Sequence, residues 1–232
     1  MRTVPIALRR AVQIIFFAVI VRPFLAVFMG LATRHRQNLP RRGPAIIIAN
    51  HNSHLDTLSI MAQMPLGALW RVRPVAAADH FKKGVLGHIA RFILRAILIE
   101  RDNKLGVKAL APILAALDRN EIIIFFPEGS RGEAEVLARF RHGISHLVAA
   151  RPDVPVIPIY LHNMGKCMPK GAWFFVPFNC EMIVGCPADL TTLPAAIVPR
   201  HLKHLIEGLA AETSLSRWDS EEGHGLGDRG AG

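Results

Sequence analysis

The amino-acid sequence predicts an α/β domain on a largely parallel sheet flanked by helices, with an N-terminal membrane-associated helical segment. Three observations predict it. From residue 45 onward, short runs of branched apolar residues alternate with helix-length stretches, the pattern of strands buried on both faces and joined by crossover helices. The chain ahead of them is apolar and basic, with no Asp or Glu before Asp56. Polar motifs stand at the ends of the apolar runs, where open α/β sheets gather their chemistry.

Hydrophobic residues make up 51% of the 232 residues and the mean hydropathy is +0.29. That is too little for a multi-span membrane protein and points to a globular domain that touches a membrane. Residues 11–21 are apolar except Gln13, and 24–32 are apolar except Gly30, with Arg22-Pro23 between them. A single helix over 11–32 would be ~33 Å long, enough to cross a ~30 Å hydrocarbon core. An arginine beside a kinking proline at mid-depth opposes a simple crossing. Two short helices lying in one leaflet are expected instead.

Arg2, Arg9, Arg10, Arg22, Arg34, Arg36, Arg41 and Arg42 all precede Asp56 and carry most of the net charge of +10. Such charge beside an apolar segment fits anionic headgroups, at ~1 kcal/mol per residue near the surface. It lacks the interleaved aromatics of a nucleic-acid surface, so membrane lipids are the expected partners and nucleic acid is not. Cys167, Cys180 and Cys186 are odd in number and without CxxC spacing, which implies reduced thiols in a cytoplasmic compartment. With the Arg-Pro interruption, this favours a retained anchor at a cytoplasmic membrane face over a cleaved leader.

The expected organisation is an anchor over 1–42, a domain over 43–213 and a glycine-rich mobile tail over 214–232. Strands are expected at 45–49, 72–77, 96–99, 122–126, 154–160 and 182–184. Helices are expected near 55–63, 84–94, 105–117, 135–150 and 201–213.

The first strand runs into Asn50-His51-Asn52-Ser53-His54-Leu55-Asp56. Ser53 with Asp56 three residues on resembles a capping box, so a helix should begin there. The turn can then fold the His51 imidazole back onto the Asp56 carboxylate. A carboxylate on one ring nitrogen fixes the tautomer and raises the basicity of the other. Two plainer readings stand beside this one: Asp56 as a helix cap only, and His51, His54 and Asp56 as metal ligands. A catalytic metal site normally draws three ligands from more than one segment, so no metal is expected. The remaining histidines, His162 among them, form no second tight cluster in the sequence.

The strand at 122–126 ends in Pro127-Glu128-Gly129-Ser130-Arg131-Gly132. Its glycines allow close backbone approach to a ligand, and Arg131 can hold a phosphate bidentately. Ile99-Glu100-Arg101 and Phe140-Arg141-His142 add further basic groups. Each motif alone reads more readily as an exposed turn or a surface ion pair. Their convergence with one His/Asp pair points to an anionic, phosphate-bearing substrate next to a base.

At these residues the chain resembles the glycerolipid acyltransferase family that includes 1-acylglycerol-3-phosphate acyltransferases. His51-x4-Asp56 is similar to the family's first block, and Ile99-Glu100-Arg101 to its second. Phe126-Pro127-Glu128-Gly129-Ser130-Arg131 is similar to the third, and Val154-Pro155-Val156-Ile157-Pro158 to the fourth. The resemblance implies direct acyl transfer from acyl-CoA or acyl-carrier protein to a lysophospholipid hydroxyl, with no metal or organic cofactor. His51 would be the base and Asp56 its orienting partner. Arg101, Glu128, Gly129, Ser130 and Arg131 would hold the phosphoglycerol part of the acceptor. Phe140 and Arg141 would lie near the same site, and Pro158 would shape the acyl-binding side.

Departures are mild: Glu100 for a common aspartate, Ser130 for threonine, and Arg141 for lysine, which alters donor geometry. The stretch 165–178 is not explained by the shared motifs and leaves acceptor identity open. Another lysolipid, such as lyso-ornithine lipid, would suit the same machinery. A noncatalytic lipid-binding protein would need no base, and a metal-dependent hydrolase would be sensitive to chelators.

Overall fold

A computed structural model describes residues 5–78, 92–99, 106–133, 135–167 and 176–215. Arg101, most of the helix expected at 84–94, and the tail beyond 215 lie outside them.

Isoleucine runs form the centre of the sheet, because β-branched side chains are stiff at χ1 and pack well on a pleated surface. The strands are β1 (Ala32–Arg34), β2 (Ala45–Ala49), β3 (Val72–Ala77), β4 (Ile97–Ile99), β5 (Ile122–Phe125), β6 (Val156–His162) and β7 (Glu181–Val184). Their order is β1-β7-β6-β2-β5-β3-β4. Every pairing is parallel except β6 with β7. Ile47 pairs with Ile124 on one side and Ile157 on the other, so β2 is central and buried throughout.

Strand alternation sends side chains into two cores. Ile47, Ala49, Ile122, Ile124, Ile157 and Ile159 face the first core. It is covered by α1 (Ile6–Met29) and α2 (Leu55–Gln63). Ile46, Ile48, Ile123, Phe125, Val156 and Tyr160 face the second. That one is covered by α3 (Ala111–Asp118), α4 (Gly143–Ala150) and α5 (Val198–Ala211).

The six strands expected from the sequence are present, β6 displaced two residues toward its carboxyl end, and α2 has the expected limits. The helix expected at 105–117 opens as a 3-10 turn, Gly106–Leu110, before becoming α3. The helix expected at 135–150 begins only at Gly143. Glu135 has φ +61°, incompatible with a right-handed helix, and the Arg141 amide donates to Pro127 O at 2.8 Å, outside any helical ladder. β1 was not expected: three residues hydrogen-bonded to β7 at the sheet edge are too short for a sequence pattern.

The N-terminal segment also differs from expectation. Instead of two short helices, it forms one helical run of 24 residues. A π-turn over Phe16–Val21 comes immediately before Arg22-Pro23. Such a turn offsets the hydrogen-bond ladder, which absorbs the missing proline donor without a break. Phe17, Val21, Leu25 and Met29, spaced at four residues, are buried in the first core. Arg22 turns toward the domain, donating from Nε to Ala62 O (2.8 Å) and from Nη2 to Met64 O (2.7 Å). It thereby caps the carboxyl end of α2, where positive charge is favoured. The outward side exposes Ile6, Leu8, Ile15, Val19, Ile20, Val27 and Phe28. Gly30, at φ +48°, ends the helix in the left-handed conformation.

This packing separates the two sides of α1 experimentally. Phe17→Ala should cost ~3–5 kcal/mol of unfolding free energy, measured by denaturant titration in detergent. Ile20→Ala, on the exposed side, should stay within ~0.5 kcal/mol. Equal effects would mean that α1 is not packed on the domain.

Candidate active site

The site begins where β2 ends. Asn50 is buried, and its side-chain amide donates from Nδ2 to Leu161 O and accepts from Leu161 N–H, both at 2.8 Å. It continues the ladder between β2 and β6 past the end of the strand. The chain then turns through His51-Asn52-Ser53 into α2, with Asp56 in the first helical turn.

Asp56 is fully buried. Its Oδ2 accepts the amides of Asn52 and Ser53, each at 2.8 Å. The bond from Ser53 is the reciprocal half of the capping box, and Ser53 Oγ accepts Leu55 N–H at 3.3 Å. The same Oδ2 lies 2.9 Å from His51 Nδ1. The helix-capping contact and the contact to the imidazole are therefore made by one atom. A carboxylate fixed by two amides can only accept, which places the proton on Nδ1 and leaves Nε2 as a proton acceptor. The imidazole is one-fifth exposed and stacks on Phe126, ring centroids 4.0 Å apart.

The second motif wraps around His51. The His51 amide donates to Glu128 Oε1 at 3.0 Å, and the Gly132 amide donates to His51 O at 2.9 Å. Glu128 Oε2 accepts the Ala138 amide at 3.4 Å. Burial raises the Glu128 carboxyl, and the amide bonds pull it back only in part. Gly129 has φ +77°, and a Cβ there would meet Arg141 Nε at 2.8 Å; both facts require glycine. Arg141 Nε donates to Glu128 O at 3.2 Å. Arg131 feels the Asp56 charge, and its buried Nη1 has no acceptor among the described residues. Burial lowers its guanidinium, against the opposing effect of Asp56.

The fold thus brings His51, Asp56, Glu128, Gly129, Arg131 and Arg141 together, with Ser130 exposed on the same turn. Phe140 and Pro158 are placed elsewhere. Phe140 is buried in the second core, and Pro158 pairs with Ile48 and packs by Gly185 and Leu209 on that side of the sheet. His54 is exposed at the start of α2. Among the described residues, no three His, Cys, Asp or Glu side chains gather as metal ligands.

One feature escaped the sequence reading. Glu135 Oε2 lies 2.8 Å from His162 Nδ1 and accepts from Tyr160 OH at 3.2 Å, while Oε1 accepts the Asn163 amide at 2.8 Å. No spacing rule joins residues so far apart, and placing Glu135 in a helix hid it.

Glu128 yields a pH prediction. Its raised value means that the native state binds a proton more readily than the unfolded chain. Its contribution to stability therefore falls as pH rises from the ordinary carboxylate range through the raised value. Glu128→Gln should flatten that slope, read from urea midpoints across the same range; an unchanged slope would place the titration on another group.

A family model described as Acyltransferase matches residues 31–162, more than half of the chain. A chloroplastic 1-acyl-sn-glycerol-3-phosphate acyltransferase of Brassica napus is 29% identical over 59% of this chain and 38% of its own length. The 1-acyl-sn-glycerol-3-phosphate acyltransferase alpha of Homo sapiens is 25% identical over 84% of this chain and 66% of its own. The chain therefore spans less than two thirds of these relatives. The crystal structure of the 1-acyl-sn-glycerophosphate (LPA) acyltransferase PlsC from Thermotoga maritima superposes with a TM-score of 0.69. It is 20% identical and covers 89% of this chain and 81% of that one, so the likeness establishes the fold. The match over β2, α2 and the turn after β5, where His51, Asp56 and Glu128 meet, shows that the chain belongs to the acyltransferase family.

Proposed function

We propose that this protein transfers a fatty acyl group from acyl-CoA or acyl-carrier protein to the free hydroxyl of 1-acylglycerol-3-phosphate, giving phosphatidate. The observation that carries the reading is the 2.9 Å contact between His51 Nδ1 and a fully buried Asp56. In the proposed step, His51 Nε2 takes the acceptor hydroxyl proton as its oxygen attacks the thioester carbonyl. The new C–O bond forms, the C–S bond breaks, and the departing thiolate takes the proton back from the imidazolium. Such a base contributes ~10²–10⁴ in rate. Arg131, with a buried nitrogen that has no acceptor among the described residues, supplies the charge for the acceptor phosphate. The curated relatives carry names that specify this acceptor.

The reading includes a membrane. The exposed apolar side of α1 would enter one leaflet, with the exposed Arg10 at the headgroups. Free thiols at Cys167, Cys180 and Cys186 agree with the cytoplasmic face.

The test uses detergent-purified protein with oleoyl-CoA and 1-acylglycerol-3-phosphate, following thiol release and lipid product. His51→Ala should lose at least ~10²-fold in kcat, and Asp56→Asn a comparable amount, with chelators without effect. Lysolipid binding with no product from any donor or acceptor in a panel would refute catalysis and leave lipid binding.

A further inference from the structure

We propose that Glu135 and His162 form a latch that ties loop 129–138 to the end of β6 and so positions Arg131 beside the His51–Asp56 pair. Glu135 is then a positioning residue for the phosphate-bearing acceptor. The identity of that acceptor rests on the acyl-transfer reading above; the latch itself does not.

Three observations carry it. First, the loop is tied to β2 through Glu128 Oε1 and the Gly132 amide, and closed on itself at Ala138 and Arg141. Glu135 supplies its tie to β6, by way of His162, Tyr160 and the Asn163 amide. Arg131 lies within the first attachment, between Glu128 and Gly132, and Glu135 fixes the chain three residues beyond Gly132. Second, Glu135 has φ +61°. A non-glycine residue holds that strained conformation only where its surroundings over-determine it, and three hydrogen-bond partners on one carboxylate do so. Third, His162 is 1% exposed, and its Nε2 has no partner among the described residues. The buried imidazole is turned to Glu135 through Nδ1.

The surroundings keep the latch closed at neutral pH. His162, Tyr160, Lys166 and the Cys167 and Cys180 thiols face Glu135. Burial pushes its carboxyl up, but the His162 bond and charge, the Asn163 amide and Lys166 together hold it below the ordinary range. The carboxylate therefore stays ionised until the pH falls through that lowered value.

The test compares wild type, Glu135→Ala and Glu135→Gln by amide hydrogen exchange and by kinetics with oleoyl-CoA and 1-acylglycerol-3-phosphate. Glu135→Ala should speed exchange of amides 129–138 by at least ~10-fold while β2 and β6 stay protected. The acceptor KM should rise ~10-fold with kcat within ~3-fold, and Glu135→Gln, which keeps the shape and one acceptor oxygen, should fall between. Loop amides that exchange as in wild type in both variants would overturn the latch. A loosened loop with unchanged KM would overturn its role in positioning. If Glu135→Ala also loses protection in β2 and β6, Glu135→Gln decides. Absence of wild-type turnover with every acceptor would defeat the reaction reading alone, and loop exchange would still decide the latch.

Discussion

A carboxylate with no solvent exposure at Asp56 is the constraint on which the site depends. A buried charge is costly unless hydrogen-bonded and paired. Here one oxygen takes two main-chain amides and an imidazole. Those amides belong to the turn leaving β2, so satisfying the carboxylate dictates the path of residues 51–53 and the start of α2. The orientation of the His51 ring follows from the same bonds. Helix capping and the placing of the imidazole are therefore one requirement, and a sequence pattern that signals the first also signals the second.

The second motif completes the site by enclosing the first. Glu128 accepts the His51 amide, Gly132 donates to the His51 carbonyl, and Phe126 lies flat under the ring. His51 is thus held through its main chain and its ring by the strand end next to its own. Parallel pairing of β2 with β5 and β6 brings three carboxyl ends to one edge. Asn50 keeps β2 and β6 aligned beyond their last ladder bonds.

Sequence patterns revealed what depends on short-range periodicity. The isoleucine runs of β2 and β5, the limits of α2, and the His51–Asp56 pair all rest on neighbours within five residues. Elements set by distant partners stayed hidden. β1 exists because β7 offers it an edge, and the Glu135–His162 pair joins a loop to the end of β6, which no local rule connects. Residues 135–142 carry helix-forming side chains, yet the Glu135 tie and the burial of Phe140 hold them in a non-helical path. At the amino end, Arg22-Pro23 reads locally as a break. In the fold, the carbonyls of Ala62 and Met64 give the arginine partners and a π-turn accommodates the proline.

The placement of β1 has a consequence for the order in which the chain is made. α1 leads directly into a strand whose hydrogen-bond partner is β7, near the opposite end of the sequence. On a ribosome, the apolar helix emerges first, while the strand and core that receive its Phe17–Met29 stripe are still unsynthesised. During that interval both of its faces lie open, and on the membrane reading proposed above a bilayer is the available solvent for them. Docking of the stripe waits at least for α2 and the central strands that share its core. On that reading the newly made chain would meet the lipid surface as a bare helix before it folds there as a domain.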